Sequence, residues 1–197
     1  MKKKDNKAVE RGRIVEMAQR HFLVHGFREV TMDDIARELG MSKKTLYMHF
    51  PCKRQLVEVM IDERITQIES DLSAVLAQRD RGFNWRLHTM VETLQHHMEQ
   101  IRPPFVHSIA RAEPALFTKI SARRAVFAER TFGKLLSEGR KDGALRTDIP
   151  VKNILRIFQM VLSEVLVPAK MAVSGLDLRV VGIQAISLFL EGALARK

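Results

Sequence analysis

The segment from residue 31 to residue 50 constrains the fold most, because its helical pattern stops at a glycine and restarts within two residues. It reads TMDDIARELGMSKKTLYMHF. Thr31, with Asp34 three residues later, predicts an N-cap and a reciprocal carboxylate at the start of one short helix. Gly40 ends that helix by taking a backbone angle that a Cβ would resist, and Ser42 is placed to cap the next helix. Two short helices around a tight glycine-containing turn predict a helix-turn-helix motif.

The rest of the 197-residue chain also follows helical spacing, and the β-branched runs that indicate strands are scarce. The predicted fold class is all-α, with an amino-terminal three-helix head at residues 1–53 and a larger carboxy-terminal helical domain at residues 54–197. Three prolines between residues 103 and 114 are expected to separate the middle helices. The helices are expected at about residues 7–25, 31–39, 43–50, 54–78, 83–101, 105–112, 116–141, 151–171 and 176–194.

Charge is the feature of the composition that indicates a partner. The formal net charge is +10, and residues 1–54 carry 13 Lys and Arg against 7 Asp and Glu, a net of +6. Clustered cations displace counterions from nucleic acid, so a polyanionic partner is expected. Charge alone leaves an anionic membrane surface open as the alternative. Cys52 is the one cysteine of the sequence, which excludes an internal disulfide framework.

The sequence at neither end of the chain indicates association with a membrane. The amino terminus MKKKDNKAVERGR is basic but has no apolar run behind it, so no secretory signal is predicted. The longest weakly charged stretch, from Val180 to Leu190, is far shorter than the ~20 residues that cross a bilayer. A soluble cytoplasmic protein without membrane contact is therefore expected.

The second helix of the motif carries polar side chains around two apolar residues, Leu46 and Phe50, that are expected to point inward. A major groove about 12 Å wide admits one α-helix, so side chains on the other faces would reach base edges and phosphates. A solvated polar face on a small helical subdomain is the competing interpretation. The candidates for DNA contact on this helix are Ser42, Lys43, Lys44, Thr45, Tyr47 and His49.

Three runs within residues 9–60 are HGFREVTM, DDIARELGMSKKTLYMHF and PCKRQL. Their order and spacing, with the Tyr47…Phe50 pair, resemble the TetR family of transcriptional regulators. The resemblance implies a dimeric repressor-type DNA binder whose carboxy-terminal helical domain senses a small molecule. It also implies that Thr31 and Lys53 anchor phosphates. The residues that the resemblance implies in DNA contact are Lys43, Lys44, Thr45, Tyr47 and His49.

Two residues depart from that family pattern. Cys52 stands where such proteins often carry Ser, and Arg54 stands where an acidic residue is common, so a weaker cap is expected on the following helix. Arg54 could add a phosphate contact, whereas Cys52 is interpreted as a small neutral residue rather than a redox sensor. The lysines at positions 2–4 could form a minor-groove arm, but a mobile solubilising tail is the preferred interpretation.

The last two predicted helices, at residues 151–171 and 176–194, are apolar nearly all round, which requires burial on more than one side. Packing them across a two-fold axis would form a four-helix homodimer interface and set two recognition helices one DNA turn apart. The alternative is a monomer whose central helices are deeply buried.

Aromatic and methionine side chains in the middle of the chain suit either a plain core or a pocket for an apolar effector. His88, Glu92 and His96 share one face by their spacing, but the apolar stripe of their helix runs elsewhere. A solvated face is therefore expected there, and neither a metal nor a cofactor is predicted. The tentative pocket residues are Trp85, Met90, Leu94, Phe105 and Phe127.

Together these features favour a DNA-binding transcriptional regulator over an enzyme. The sequence has no glycine-rich phosphate loop, no nucleophile elbow and no paired carboxylates in an apolar setting. The prediction is a homodimeric repressor that a small-molecule effector releases from a palindromic operator in double-stranded DNA. The alternative is an architectural or constitutive DNA-binding protein with no ligand response.

Overall fold

The computed structural model describes residues 2–101, 103–165 and 178–194. Within these ranges the backbone forms helices and no strand, apart from one isolated bridge between Leu145 and Leu194. The predicted all-α class, with a helix-turn-helix head and a larger helical region after it, is confirmed. The helices of the described ranges are α1 (Lys2–His25), α2 (Met32–Glu38), α3 (Lys43–His49), α4 (Lys53–Ala77), α5 (Phe83–Glu99), α6 (Pro103–Ala112), α7 (Pro114–Lys141), α8 (Val151–Val165) and α9 (Leu178–Ala193).

The prolines between residues 103 and 114 start helices instead of separating them. α6 begins at Pro103 and α7 begins at Pro114, so both prolines belong to the helices that they were expected to precede. The N–H groups of a first helical turn have no intrahelical partner, so proline loses no hydrogen bond there, and its fixed φ suits the helix. The predicted starts at residues 105 and 116 were therefore too late.

The predicted carboxy-terminal helix pair is only partly within the described residues. α8 is described as far as Val165, and α9 is described from Leu178. Residues 166–171 and 176–177 of the predicted pair lie outside the described residues. At the other end of the chain, the backbone of residues 2–4 forms the first turn of α1.

The chain divides into two compact units. Unit 1 comprises residues 1–66 with 100–118, and unit 2 comprises residues 67–99 with 119–197. The boundary predicted after residue 53 falls inside unit 1, at the start of α4. Both α4 and α7 contribute residues to each unit.

The helix-turn-helix of unit 1 rests on a small apolar core. Its buried side chains include Ala18 and Phe22 of α1, Ile35 of α2, Leu46 of α3 and Phe50. Full burial of one large apolar side chain stabilises by about 1.5–3 kcal/mol, so this cluster strongly favours one position of α3 against α1 and α2. The predicted inward position of Leu46 and Phe50 is confirmed.

Unit 2 has a separate core, in which aromatic rings pack in series. The ring of Phe158 on α8 lies 4.6 Å from that of Phe132 and 5.3 Å from that of Phe189, measured between centroids. Gly139 of α7 is required by packing, because a Cβ there would collide with the ring of Phe83. Among the helices that the structure describes, none combines the length and apolar character needed to cross a bilayer.

Candidate nucleic-acid interface

The two helices of the motif begin with the side-chain caps that the sequence predicts. Thr31 Oγ1 accepts the Asp34 N–H at 3.1 Å, and Asp34 Oδ2 accepts the Thr31 N–H at 2.9 Å and its hydroxyl at 2.6 Å. These hydrogen bonds from Thr31 lower the pKa of the Asp34 carboxyl. Ser42 Oγ accepts the Thr45 N–H at 3.1 Å, and the two hydroxyl oxygens lie 2.8 Å apart. Both predicted caps are confirmed, and the hydroxyl groups of Thr31, Ser42 and Thr45 are already hydrogen-bonded within the head.

The turn between α2 and α3 is closed by backbone hydrogen bonds around Gly40. Gly40 has φ +62°, its N–H donates to Arg37 O at 3.1 Å, and the Met41 N–H donates to Ala36 O at 3.0 Å. A residue with a Cβ is strained in that left-handed conformation. An ion pair from Lys43 Nζ to Asp33 Oδ2 joins the two helices on the outside of the turn. The motif is therefore held by contacts on both sides of the turn.

The outward face of α3 combines two cations, one aromatic ring and one thioether. Lys43, Lys44, Tyr47 and Met48 are exposed, whereas Leu46 between them is fully buried. Lys44 has no acidic partner within 4.0 Å among the described side chains, which leaves its ammonium group solvated. We refer to these four side chains, 43, 44, 47 and 48, as the α3 outer face.

Met48 was missed by the sequence analysis. Its side chain is 63% exposed, more than the 45% of Tyr47. The available signal was spacing, because Met48 follows Lys44 by four residues and therefore shares its side of the helix. An exposed apolar side chain on a groove-sized helix suits contact with a thymine methyl group.

His49 does not lie on the outer face, so its predicted exposure was wrong. Its side chain is only 4% exposed, and Nε2 lies 3.0 Å from Glu10 Oε2 on α1. Nδ1 is buried without a hydrogen-bond partner among the described residues. The reason is helical spacing: His49 follows the buried Leu46 by three residues and precedes the buried Phe50, so it turns towards α1.

Lys53 is partly buried at the start of α4, against two aromatic rings. Its Nζ lies 4.4 Å from the Phe27 ring centroid and 5.6 Å from that of Phe22. It also donates to Arg28 O at 3.5 Å. Burial lowers the pKa of Lys53, and the negative charges of Glu29 and Asp34 oppose that shift. The ring faces restrict the ammonium group to one region of the head.

The two departures from the family pattern have different surroundings. Cys52 is an exposed free thiol. Arg54 Nε lies 3.4 Å from Glu113 Oε2, so this cation is directed to an acidic side chain of unit 1. The side chains of the lysines at positions 2–4 lie outside the described residues.

The five tentative pocket residues do not share one environment. Met90 and Phe127 belong to the buried core of unit 2, and Leu94 packs against that core. Trp85, also in unit 2, is 39% exposed, with the guanidinium carbon of Arg81 5.2 Å from its ring centroid. Phe105 is buried in unit 1. An open groove of about 480 Å³ does exist on α4 and α5, and none of the five lines it.

The histidines of α5 divide between solvent and core. His88 and Glu92 are exposed and lie 3.2 Å apart, as a solvated face predicts. His97, which the sequence analysis did not single out, is buried, and its Nε2 lies 2.8 Å from Asp71 Oδ2 on α4. No group of three metal-ligating side chains occurs among the residues that the structure describes.

The described parts of α8 and α9 expose apolar side chains. Ile157 and Met160 on α8 and Leu188 on α9 are 45%, 61% and 70% exposed. Elsewhere on these helices, Ile154, Phe158 and Ala193 are buried in the unit 2 core. The side chains of residues 161–183 lie outside the described residues. The predicted burial of the last two helices on more than one side therefore lies outside them too for this range, which includes Val180.

Comparison with known proteins agrees with this geometry. Residues 14–60 match the family described as bacterial regulatory proteins, tetR family. Over 45 residues the chain is 47% identical to the uncharacterized HTH-type transcriptional regulator YvaF of Bacillus subtilis, covering 21% of this chain and 24% of that protein. Over 52 residues it is 36% identical to the HTH-type transcriptional regulator TtgR of Pseudomonas putida, and this match covers 26% of this chain and 25% of that protein. The matches thus span about a quarter of these curated relatives.

Similarity of fold extends over nearly the whole chain. A crystal structure of a putative transcriptional regulator from Saccharomonospora viridis, in complex with choline, superposes with a TM-score of 0.71 and 21% identity. That similarity covers 96% of this chain and 100% of the other. The curated relatives are named as transcriptional regulators, in agreement with the prediction that this chain is not an enzyme. The resemblance to the TetR family is confirmed over residues 14–60, which match the model of that family and contain the helix-turn-helix.

Proposed function

We propose that this TetR-family chain is a homodimeric, sequence-specific DNA-binding repressor that a small-molecule effector releases from a palindromic operator. The observation that carries the proposal is the α3 outer face. Two caps, a closed turn and a buried core support a single helix whose cationic and apolar side chains are exposed. A helix of that kind fits a major groove about 12 Å wide.

Different residues would have different roles on DNA. Lys44 and Met48, on the exposed face, suit contact with base edges, and the adjacent Thr45 carries a methyl group of the kind that contacts thymine. Tyr47 and Lys53 suit phosphates, because a hydroxyl and an ammonium group contact backbone oxygens without distinguishing bases. Lys43 keeps Asp33 as its intramolecular partner, so its contribution to DNA affinity is expected to be smaller than that of Lys44.

Dimerisation through α8 and α9 is supported by their exposed apolar side chains. Three large apolar groups, Ile157, Met160 and Leu188, are solvated in the single chain. A second copy related by a two-fold axis would bury these groups and double the recognition helix. The half-sites of the operator would then be one helical turn of DNA apart, about 34–36 Å.

Effector release is proposed to act through α4. This helix is continuous from Lys53 to Ala77 and contributes residues to both units. An effector that binds unit 2 and shifts α4 would change the separation of the two recognition helices in the dimer. The structurally similar protein from Saccharomonospora viridis was crystallised in complex with choline, which supports the proposal of a small-molecule effector for this chain.

Selection of bound sequences from random duplex DNA, followed by binding measurements near 0.15 M salt, tests the proposal. A palindromic site should be preferred over random DNA by about 10³-fold or more, and the protein should sediment as a dimer. Equal affinity for all duplexes, lost steeply with salt, would favour the architectural alternative. A single chain in solution with no site preference would refute the proposal. A screen for compounds that release the selected site then separates a ligand-responsive from a constitutive regulator.

A further inference from the structure

The loop that joins α1 to α2 begins with a backbone N–H group that has left the helix. Gly26 has φ +90°, and its N–H donates to Phe22 O at 2.9 Å. In this kind of helix end, the N–H of the residue after the glycine has no acceptor in the helix. That residue is Phe27, which is buried. A buried N–H group requires a hydrogen-bond partner, so Phe27 needs an acceptor from another segment of unit 1.

Ser108 of α6 supplies that acceptor. Its Oγ accepts the Phe27 N–H at 2.6 Å, and the two residues are 81 positions apart in the sequence. The same hydroxyl group donates to Phe105 O of its own helix at 3.0 Å. Because a hydroxyl has one proton and two lone pairs, donation to the helix leaves a lone pair for the loop. α6 therefore holds the start of the loop by a specific, partly buried hydrogen bond.

The first two side-chain-bearing residues of this loop contact the ammonium group of Lys53. Nζ of Lys53 lies over the Phe27 ring, 4.4 Å from its centroid, and donates to Arg28 O at 3.5 Å. A lysine side chain loses much rotamer freedom when it is held in one place. The ring and the carbonyl oxygen supply the attraction that opposes this loss. The position of the Lys53 ammonium group therefore depends on the position of the loop.

The residue that follows α6 contacts the first turn of α4 as well. Glu113 Oε2 lies 3.4 Å from Arg54 Nε, next to Lys53 in the chain. More than half of the Arg54 side chain is exposed, and an exposed ion pair adds little to stability. The hydrogen bond from Ser108 is partly buried and satisfies a backbone group. Of these two contacts, the one from Ser108 is expected to matter more for the position of the ammonium group.

We propose that Ser108 is a positioning residue for DNA binding, because by holding Phe27 it sets the Lys53 ammonium group where it contacts a DNA phosphate. Ser108 acts through the loop and not by touching DNA. The proposal rests on the proposed function, since it supports the phosphate contact assigned there to Lys53. Phosphates carry no base information, so loss of Ser108 should weaken binding equally on every sequence.

A double-mutant cycle on the full-length protein is the first test. Fluorescence anisotropy measures the affinity of wild type, Ser108→Ala, Lys53→Ala and the double variant for the selected operator and for a random duplex. Ser108→Ala should weaken binding to both duplexes by about 2- to 10-fold and reduce the salt slope by up to about 1. The double variant should bind no more weakly than Lys53→Ala, because both changes remove one contact.

Thr118→Ala is the matched control for loss of a hydroxyl group in unit 1. The Thr118 hydroxyl donates to Pro114 O of its own helix, so its removal should leave DNA affinity unchanged. All affinities are measured well below the Tm of each variant. If Ser108→Ala does not fold, Ser108→Cys replaces it in the same cycle, because a thiol of similar size is a weaker hydrogen-bond partner. Multiplying losses in the double variant, a changed site preference, or no loss without the Ser108 hydroxyl would overturn the proposal.

Nuclear magnetic resonance without DNA is the second test. The ring current of Phe27 should move the ε-methylene protons of Lys53 upfield of those of the exposed Lys44. Ser108→Ala should reduce this upfield shift, and Thr118→Ala should keep it. Phe27→Leu should abolish the shift, which identifies the ring as its source. A shift of equal size in wild type and Ser108→Ala would overturn the proposal, since Lys53 would then keep its place without Ser108.

The two tests separate failure of this inference from failure of the proposed function. If the wild type selects an operator but the Lys53 shift is independent of Ser108, the positioning role is wrong and the regulator stands. If the shift depends on Ser108 and the cycle holds on random duplex while no operator is selected, the positioning role stands and sequence-specific regulation fails.

Discussion

The α3 outer face and the inward face of α7 both contain cations, in opposite environments. The Lys43 side chain is 67% exposed, and Lys44 is exposed beside it. Arg124 is partly buried next to an apolar core. A solvated ammonium group has only a small desolvation penalty, and its attraction to any polyanion weakens as the salt concentration rises. Exposure therefore separates the cations that are available to a polyanion from a cation that packs against the core.

The largest effect is expected from a substitution in the buried core that holds α3 in place. Phe50→Ala removes a fully buried ring next to α3 and should lower the free energy of unfolding by about 3–5 kcal/mol, with loss of DNA binding. Urea denaturation measures the stability. Met48→Ala is the matched control, since Met48 is exposed and only two residues away. A similar loss of stability in both variants would contradict the assignment of inner and outer faces.

The next effect separates base contacts from phosphate contacts. Lys44→Ala and Thr45→Ala should change which sequences are selected and cost about 1–3 kcal/mol on the wild-type operator. Tyr47→Ala and Lys53→Ala should weaken binding to all duplexes alike, and Lys53→Ala should reduce the salt slope by about 1. Fluorescence anisotropy on matched and mismatched sites measures both quantities. An equal loss on every sequence for all four variants would refute this division of roles.

A smaller effect is expected at His49, which the structure places against α1. His49→Ala should remove its contact with Glu10 and lower the stability of the head by about 1 kcal/mol. DNA affinity should fall only through that loss, so the salt slope should stay unchanged. Glu10→Gln tests the same contact from the other side. A reduced salt slope in His49→Ala with unchanged stability would instead assign His49 to a phosphate.

The smallest effect concerns pH and the cap of α2. The folded-state pKa of Asp34 is lowered by its hydrogen bonds from Thr31, so ionised Asp34 stabilises the head above the unfolded pKa of about 3.9. That contribution is lost as pH falls through the lowered folded value. Between pH 7 and pH 3 the Tm of wild type should therefore fall slightly more than that of Asp34→Asn. An equal fall in both proteins would remove Asp34 from the pH response.

Local features of the head were predictable because they involve residues close together in the chain. The caps at Thr31 and Ser42 and the turn at Gly40 depend on groups within about four positions. The prolines that begin α6 and α7 are local too, and their misassignment came from taking proline as a helix end rather than a first-turn residue. Residues 14–60, which contain these local features, match the TetR family model.

The sequence by itself determined the all-α class and the position of the helix-turn-helix, because periodicity, caps and turn glycines act over three or four residues. Only the tertiary structure decided the environment of individual polar groups. His49 meets Glu10, 39 residues away, and Lys53 lies over the ring of Phe27, 26 residues away by their numbers. Arg123 and Arg124 are adjacent and chemically identical, yet one reaches Glu69 and the other reaches no acidic side chain among the described residues. Burial and pairing depend on packing between distant segments, so identical residue types acquire different surroundings.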